Sequence, residues 1–242
     1  MKSNLCNYED FSDPKFIDLM HKLNKDPNHI HRKHWEYYYI HSAVEKHLGI
    51  SSGLKGLVFG AGMEILPSLF ASYNMQIVAT DKVDGTGWDH NGQHSKNKKD
   101  LFHSEVVSGI MFDKNVSFES CDMNGIPDKF NEQFDFVWST CSLEHIGSLQ
   151  HGINFIENSI KCVRPGGLIV HTTEFNLSSN TDTINAHNLC FYRKCDLDYL
   201  DSKYNLKLDY TFDYDKNCEE HMHIMLDQLG YKFTSVGLTI LK

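Results

Sequence analysis

The sequence predicts an α/β protein in which a doubly wound, mostly parallel sheet of seven strands is flanked by helices and edged by an antiparallel hairpin. Three observations carry that prediction. From Lys55 onward, short apolar runs alternate with helical segments, the pattern of βαβ units. The first of those runs ends in a glycine-rich turn, Gly60-Ala61-Gly62. The last two candidate strands have no long helix between them. The length, 242 residues, suits one domain over 51–242 preceded by a helical extension over 1–50.

Taken in order, Ser12-Asp13-Pro14 is a helix start signal. Helical character runs through Trp35-Glu36-Tyr37-Tyr38-Tyr39-Ile40 to a stop at Gly49. Strands are expected at 56–59, 76–80, 116–119, 134–138 and 167–172. Helices are expected over 64–73 and 149–163. Arg164-Pro165-Gly166-Gly167 stops the second, because proline cannot continue a helix and paired glycines let the chain turn into the fifth strand. Segments 206–210 and 234–241 make the edge hairpin. Residues 83–105, rich in Gly, Asn, His and Lys, are the longest irregular stretch. No internal repeat is present.

Hydrophobic residues at 40% and charged residues at 23% describe an ordinary globular chain. Thirty-two acidic against 23 basic side chains give a net charge of -9, which disfavours a nucleic-acid partner. The basic clusters, Lys96-Lys98-Lys99 and Arg32-Lys33, read as solvated faces. The seven cysteines form no C-x-x-C pair and read as reduced thiols. No apolar run approaches the ~20 residues of a membrane span. A cytoplasmic protein with no membrane partner is expected, its oligomeric state open.

Chemistry concentrates at the carboxyl ends of the strands. Glycines in the Gly60-Ala61-Gly62 turn let the backbone approach a ligand, and the helix that follows offers its amides, although such a turn can also simply pack tightly. Asp81, about twenty residues on, ends the second strand, where a carboxylate can accept from both ribose hydroxyls. Together they point to a nucleoside ligand. A dinucleotide is disfavoured because Ile65 occupies the third glycine position of G-x-G-x-x-G, and no P-loop occurs. Asp122 and Met123 follow the third strand, and Ser139 and Thr140 end the fourth, so both pairs should line the same crevice. Asp122 can bond an adenine amino group, Met123 can pack on the ring, and Lys82 beside Asp81 joins the cofactor candidates.

Gly60-Ala61-Gly62, Asp81, Cys121-Asp122-Met123, Phe134-Asp135-Phe136-Val137-Trp138-Ser139, Leu143-Glu144-His145 and Arg164-Pro165-Gly166-Gly167 stand in the order and spacing of class I S-adenosylmethionine-dependent methyltransferases. The chain resembles that superfamily over roughly residues 54–175. The resemblance implies a Rossmann-like fold and S-adenosyl-L-methionine as cofactor. A narrower resemblance rests on Trp35-Glu36, Gly87-Trp88, Gln93-His94, Glu144-His145-Ile146-Gly147-Ser148, His171-Thr172-Thr173-Glu174-Phe175-Asn176-Leu177, Tyr192-Arg193 and Thr234-Ser235-Val236-Gly237-Leu238. These residues look like a bacterial methyltransferase group that accompanies glycosyltransferases, which implies a sugar or glycoconjugate acceptor. Two positions depart from the superfamily pattern. Val58 stands where an acidic residue is usual, and Glu64 where a third glycine often sits.

Methyl transfer needs alignment and, for a hydroxyl acceptor, a base. His145, beside Glu144, and His171, followed by Glu174, are the acid/base candidates. His171, Glu174, His221 and His223 are also potential ligands for a divalent metal that would lower an acceptor's pKa. In a strand His171 and Thr173 share a face, and Glu174 joins them only if the strand ends first. Trp88 is a lid candidate; with Glu144, Arg193 and His221 it completes the acceptor-binding set. The expected activity is methylation of a small polar acceptor on oxygen or nitrogen. The competing readings are an inactive nucleoside-binding module and a nucleic-acid methyltransferase, the latter lacking an Asn/Asp-Pro-Pro-aromatic motif.

Overall fold

The computed structural model describes residues 2–83, 94–206, 212, 214, 220–221, 223–226 and 230–242. The chain opens with a short strand, β1 (Asn4–Leu5), and two helices, α1 (Pro14–Lys22) and α2 (Arg32–Leu48). Asp13 caps α1 by accepting from the Lys15 amide at 2.8 Å, with Pro14 at the first helical position. Gly49, at φ +73°, ends α2 as expected. Then follow β2 (Lys55–Val58), α3 (Leu66–Ser72), β3 (Gln76–Asp81), α4 (Gly109–Asn115), β4 (Val116–Ser120), β5 (Phe134–Thr140), α5 (Leu149–Cys162) and β6 (Val163–Asn176). A small hairpin of β7 (Asn185–Ala186) and β8 (Leu189–Cys190) precedes α6 (Lys194–Tyr204), β9 (Ile224–Leu226) and β10 (Tyr231–Leu241).

The main sheet runs β1-β10-β6-β5-β2-β3-β4, with β9 also paired to β10. Strands β2 to β6 pair in parallel, whereas β10 is antiparallel to β6, β1 and β9. This is the expected Rossmann-like methyltransferase architecture with antiparallel edge strands. The edge differs in detail. Strand β1 comes from the segment read as wholly helical, and of the strand expected at 206–210 the positions 207–210 lie outside the described residues. Helix α3 starts at Leu66 because 60–64 belong to the turn, and β6 begins at Val163 and runs on to Asn176.

Alternation along the strands divides the core between two faces. Val58, Phe136, Trp138, Leu168 and Val170 pack with Trp35, Tyr39 and Ile40 of α2 and Phe70 of α3. Leu57, Val137 and Ile169 pack with Ile153, Phe155 and Ile156 of α5. The aromatic stripe of α2 is therefore mostly packing. Any Cβ at position 237 would run into the Tyr39 ring, so Gly237 lets α2 lie close on β10. The strand order reverses between β2 and β5, and a crevice opens there at their carboxyl ends.

Candidate active site

The crevice holds a cavity of about 600 Å³. Its floor is the turn after β2, where Gly60 and Gly62 have φ of +59° and +52°. A Cβ at Gly60 would stand 2.8 Å from the Ser142 side chain and 3.2 Å from Met123 Sδ, so this position requires glycine on two grounds. One wall is Thr140, Cys141, Ser142, Glu144 and His145, from the end of β5 and the turn beyond it. The other is His31, which caps α2, and Arg32, Lys33, Glu36 and Tyr37 of α2, with Glu174 of β6. Cys141 adopts a left-handed φ of +46°, a strained backbone for a residue with a side chain and one typical of functional sites.

Four carboxyl groups face this space with two cations. Glu36 pairs with Lys33 at 2.7 Å and accepts from Ser235 Oγ at 2.6 Å and from the Cys141 thiol at 2.9 Å. Burial alone would raise its pKa, but Lys33 and Arg32 outweigh burial and hold it below the usual carboxylate value. Arg32 donates to Ser235 Oγ at 2.7 Å and to Glu174 Oε1 at 3.2 Å. The expectation of a solvated Arg32-Lys33 face is thus corrected. Arg32 is buried, and both charges are bound to carboxylates inside the site.

The other carboxyls are less well matched. Glu64 is buried, accepts from Trp138 Nε1 at 2.7 Å through Oε1, and has no hydrogen-bond partner at Oε2. Burial raises it to about 7, against some relief from the nearby Thr140 hydroxyl, which lies outside hydrogen-bond geometry, and from the Trp138 bond. Glu144 is wholly buried and accepts from Thr173 Oγ1 at 3.1 Å, while Oε1 has no hydrogen bond. Glu174 Oε2 likewise has none. Burial raises Glu144 and Glu174 to about 7 each, and each finds another carboxylate close by.

His145 lies in the cavity wall with Nδ1 2.7 Å from the Asn188 carbonyl. A carbonyl only accepts, so Nδ1 carries the proton, and in the neutral ring Nε2 presents its lone pair. That nitrogen is 3.9 Å from Glu144 Oε1. Burial holds the imidazole below its usual pKa, which favours the neutral base.

His171 is placed otherwise. It is fully buried between β6 and α5, with Nδ1 2.8 Å from Ser139 Oγ and Nε2 2.9 Å from Ser159 Oγ. Both ring nitrogens are committed, and burial lowers the pKa to about 3. An acid/base role for His171 and a cofactor role for the Ser139 side chain are replaced by this interior hydrogen-bond bridge. Because β6 continues to Asn176, Glu174 points to the α2 face, away from His171 and Thr173. Arg193 pairs with Asp196 at 2.9 Å at the start of α6 and donates to the Thr181 carbonyl, and His221 contacts Asn7. Neither lines the cavity. Trp88 lies outside the described residues. Among the described residues no three His, Cys, Asp or Glu side chains are arranged to hold a metal ion.

The nucleoside candidates stand at the adjoining strand ends. Asp81 Oδ2 accepts from the amides of Gly62 and Ser95, each at 2.9 Å, and Oδ1 from the Lys82 amide at 2.8 Å. The carboxylate is therefore fixed beside the glycine turn. Asp122 pairs with Lys82 Nζ at 2.9 Å, and Met123 is buried against Gly60. Ala61 lines the cavity beside these glycines.

Residues 23–211 match the family described as "Tellurite resistance protein TehB". No curated protein matches the chain. Among solved structures it is similar to a 1,6-didemethyltoxoflavin-N1-methyltransferase from Burkholderia thailandensis, at 14% identity and a TM-score of 0.52, over 97% of this chain and 88% of that one. It is also similar to the PH0226 protein of Pyrococcus horikoshii, at 11% identity and a TM-score of 0.49, over 96% and 93%. The third is an S-adenosylmethionine-dependent methyltransferase of Mesorhizobium loti, at 9% identity and a TM-score of 0.46, over 84% and 98%. The chain spans 66% of a further relative, from Galdieria sulphuraria. At such identities the likeness is one of fold. No helix among the described residues is long and apolar enough to cross a membrane.

Proposed function

The chain belongs to the TehB family and is an S-adenosylmethionine-dependent methyltransferase of class EC 2.1.1; from that premise we propose that it methylates a small polar acceptor, of sugar, nucleotide-sugar or glycoconjugate type, on oxygen or nitrogen. One observation carries this reading: a single cavity joins the glycine turn to Glu144 and His145. Its volume, about 600 Å³, is that of a small-molecule site.

The residues present fit the cofactor. Gly60 and Gly62 hold a turn that offers the cavity a surface without side chains, since nothing larger could occupy position 60. Val58 leaves no acid at the end of β2, and Glu64 supplies one a few residues later, with a buried oxygen lacking a partner. We assign Glu64 to the methionine ammonium, Asp81 to the ribose, and Asp122 with Met123 to the adenine. When bound, the cofactor supplies an electrophilic methyl group on a sulfonium. His145 accepts the acceptor's proton at Nε2, and Glu144 stabilises the imidazolium so formed. Helix α2 forms the opposite wall of the cavity.

The family description concerns tellurite, an oxyanion. Four carboxyl groups against two cations, both already paired, suit a neutral or cationic acceptor better than an oxyanion. The test is calorimetric titration of S-adenosylhomocysteine into wild type and Asp81→Ala, followed by labelled methyl transfer to a panel of sugars and nucleotide sugars. Binding that weakens in the variant is expected; absence of binding to wild type overturns the reading.

A further inference from the structure

We infer that the acceptor enters as a cation, a primary amine on a small polyhydroxylated carrier, with its ammonium group seated between the carboxylates of Glu144 and Glu174. The inference rests on the methyltransferase reading of this site and names its substrate class.

Glu144 is wholly buried, yet Oε1 has no hydrogen bond, and its distance of 3.9 Å to His145 Nε2 is too long for one. Glu174 Oε2 is in the same condition, while its other oxygen is held by Arg32. A buried carboxylate oxygen without a donor is costly, so the ligand of this cavity is expected to bring donors. Most of the charged and hydroxyl donors nearby are engaged elsewhere, although Arg32 Nε and Thr140 Oγ1 make no hydrogen bond of their own. Lys33 is bound to Glu36, Arg32 to Ser235 and Glu174, and the Ser142 hydroxyl to the Gly60 carbonyl at 3.0 Å.

Charge decides what kind of donor. With all four carboxyl groups ionised, Lys33 answers Glu36, Arg32 answers Glu174 and the cofactor's ammonium answers Glu64, so one negative charge is left over at Glu144 beside Glu174. Glu144 and Glu174 both line this one cavity, so a single ligand can address both. A hydroxyl would supply hydrogen bonds without charge, and a carboxylate or phosphate would add repulsion. An ammonium supplies both donors and charge.

The same pair then prepares the nucleophile. The ammonium gives one proton to His145 Nε2, directly or through Glu144, leaving a neutral amine. Its lone pair forms the new C–N bond as the C–S bond breaks and that electron pair returns to sulfur. The products are a secondary ammonium and a neutral thioether.

Binding of glucosamine, glucose and glucuronate is measured by calorimetry on the protein saturated with S-adenosylhomocysteine, which carries no sulfonium charge. Glucosamine is expected to bind at least about tenfold more tightly than glucose, and glucuronate not measurably, as befits a charged hydrogen bond. Glu144→Gln and Glu174→Gln should each remove most of that preference while leaving S-adenosylhomocysteine affinity unchanged. Glucose or glucuronate binding as tightly as glucosamine, or none of the three binding to a protein that does bind S-adenosylhomocysteine, overturns the inference. A wild-type protein that fails to bind S-adenosylhomocysteine overturns the parent reading instead. Should a variant fail to fold, the wild-type preference decides alone.

Discussion

Replacing Glu64 by Gln should move stability and cofactor binding in opposite directions. The amide keeps an oxygen for Trp138 Nε1, which donates to Glu64 at 2.7 Å, and removes only the charge. Burial raises Glu64 from 4.5 to about 7. A carboxyl whose folded pKa is raised contributes stability that is fully present below pH 4.5 and is lost as pH rises through 7. Each pKa unit corresponds to about 1.4 kcal/mol, so at pH 9 the ionised Glu64 costs the empty protein about 3 kcal/mol. The Gln variant escapes that cost. It should match wild type at pH 4.5 in urea unfolding and exceed it by up to about 3 kcal/mol at pH 9, since all other carboxyls are common to both. Binding should change the other way. Loss of a charged hydrogen bond to the methionine ammonium should weaken S-adenosylhomocysteine by about 1.5–3 kcal/mol, or roughly 10- to 100-fold. A variant no more stable than wild type at pH 9, or one that binds S-adenosylhomocysteine equally well, would refute the assignment of Glu64.

The other expectations separate binding, chemistry and packing. Asp81→Ala should lower S-adenosylhomocysteine affinity by about 1.5–3 kcal/mol in calorimetry. His145→Asn should reduce kcat by about 10²–10⁴-fold at unchanged cofactor affinity in single-turnover assays. His171→Ala should lower stability by about 2–4 kcal/mol, because it opens a cavity and strands the hydroxyl of Ser139, while Ser159 keeps its bond to the Ile156 carbonyl; turnover per folded molecule should hold. Arg32→Met should destabilise the protein by about 3–5 kcal/mol at pH 8, as expected when a buried carboxylate loses its cation, and by less at pH 5, where Glu174 is protonated.

The sheet was legible because each parallel strand is a short, nearly continuous apolar run, which strands buried on both faces must be. The boundaries of β6 were not, because Pro165-Gly166-Gly167 reads as a break, whereas the strand continues through it with only a shift of register against β5. Likewise β1 has only two residues and its pairing with β10 joins opposite ends of the chain, which no local pattern can announce. In the candidate site, spacing placed the glycine turn beside Asp81, and position after β5 placed Glu144 and His145 at the same crevice, which is where they lie. Arg32, Lys33 and Glu36 were missed. Their signal was present, since Lys33 and Glu36 are spaced one turn apart in a helix whose neighbouring residues are aromatic. Charges set among buried aromatics are seldom solvated. His171 misled because two serine hydroxyls satisfy it in the interior, and neither partner is near it in sequence.

The two halves of the cavity are built from different materials, and this bears on how far the family description reaches. At the cofactor end the determinants are largely backbone: left-handed glycines, the amides that hold Asp81, and a Cβ-free surface against Ser142 and Met123. Changing these disturbs the strand-to-helix turn on which β2 and α3 depend. At the proposed acceptor end the lining is made of side chains from separate elements, Arg32, Lys33 and Glu36 on α2, Glu144 and His145 after β5, and Glu174 on β6. Each can be exchanged without altering the sheet, provided charge stays balanced. Cofactor use can therefore persist while the acceptor changes, and tellurite in the family description does not determine the substrate of this chain. What does constrain it is the charge balance, because any substitution that accepts a new substrate must leave Glu144 and Glu174 with donors to meet them.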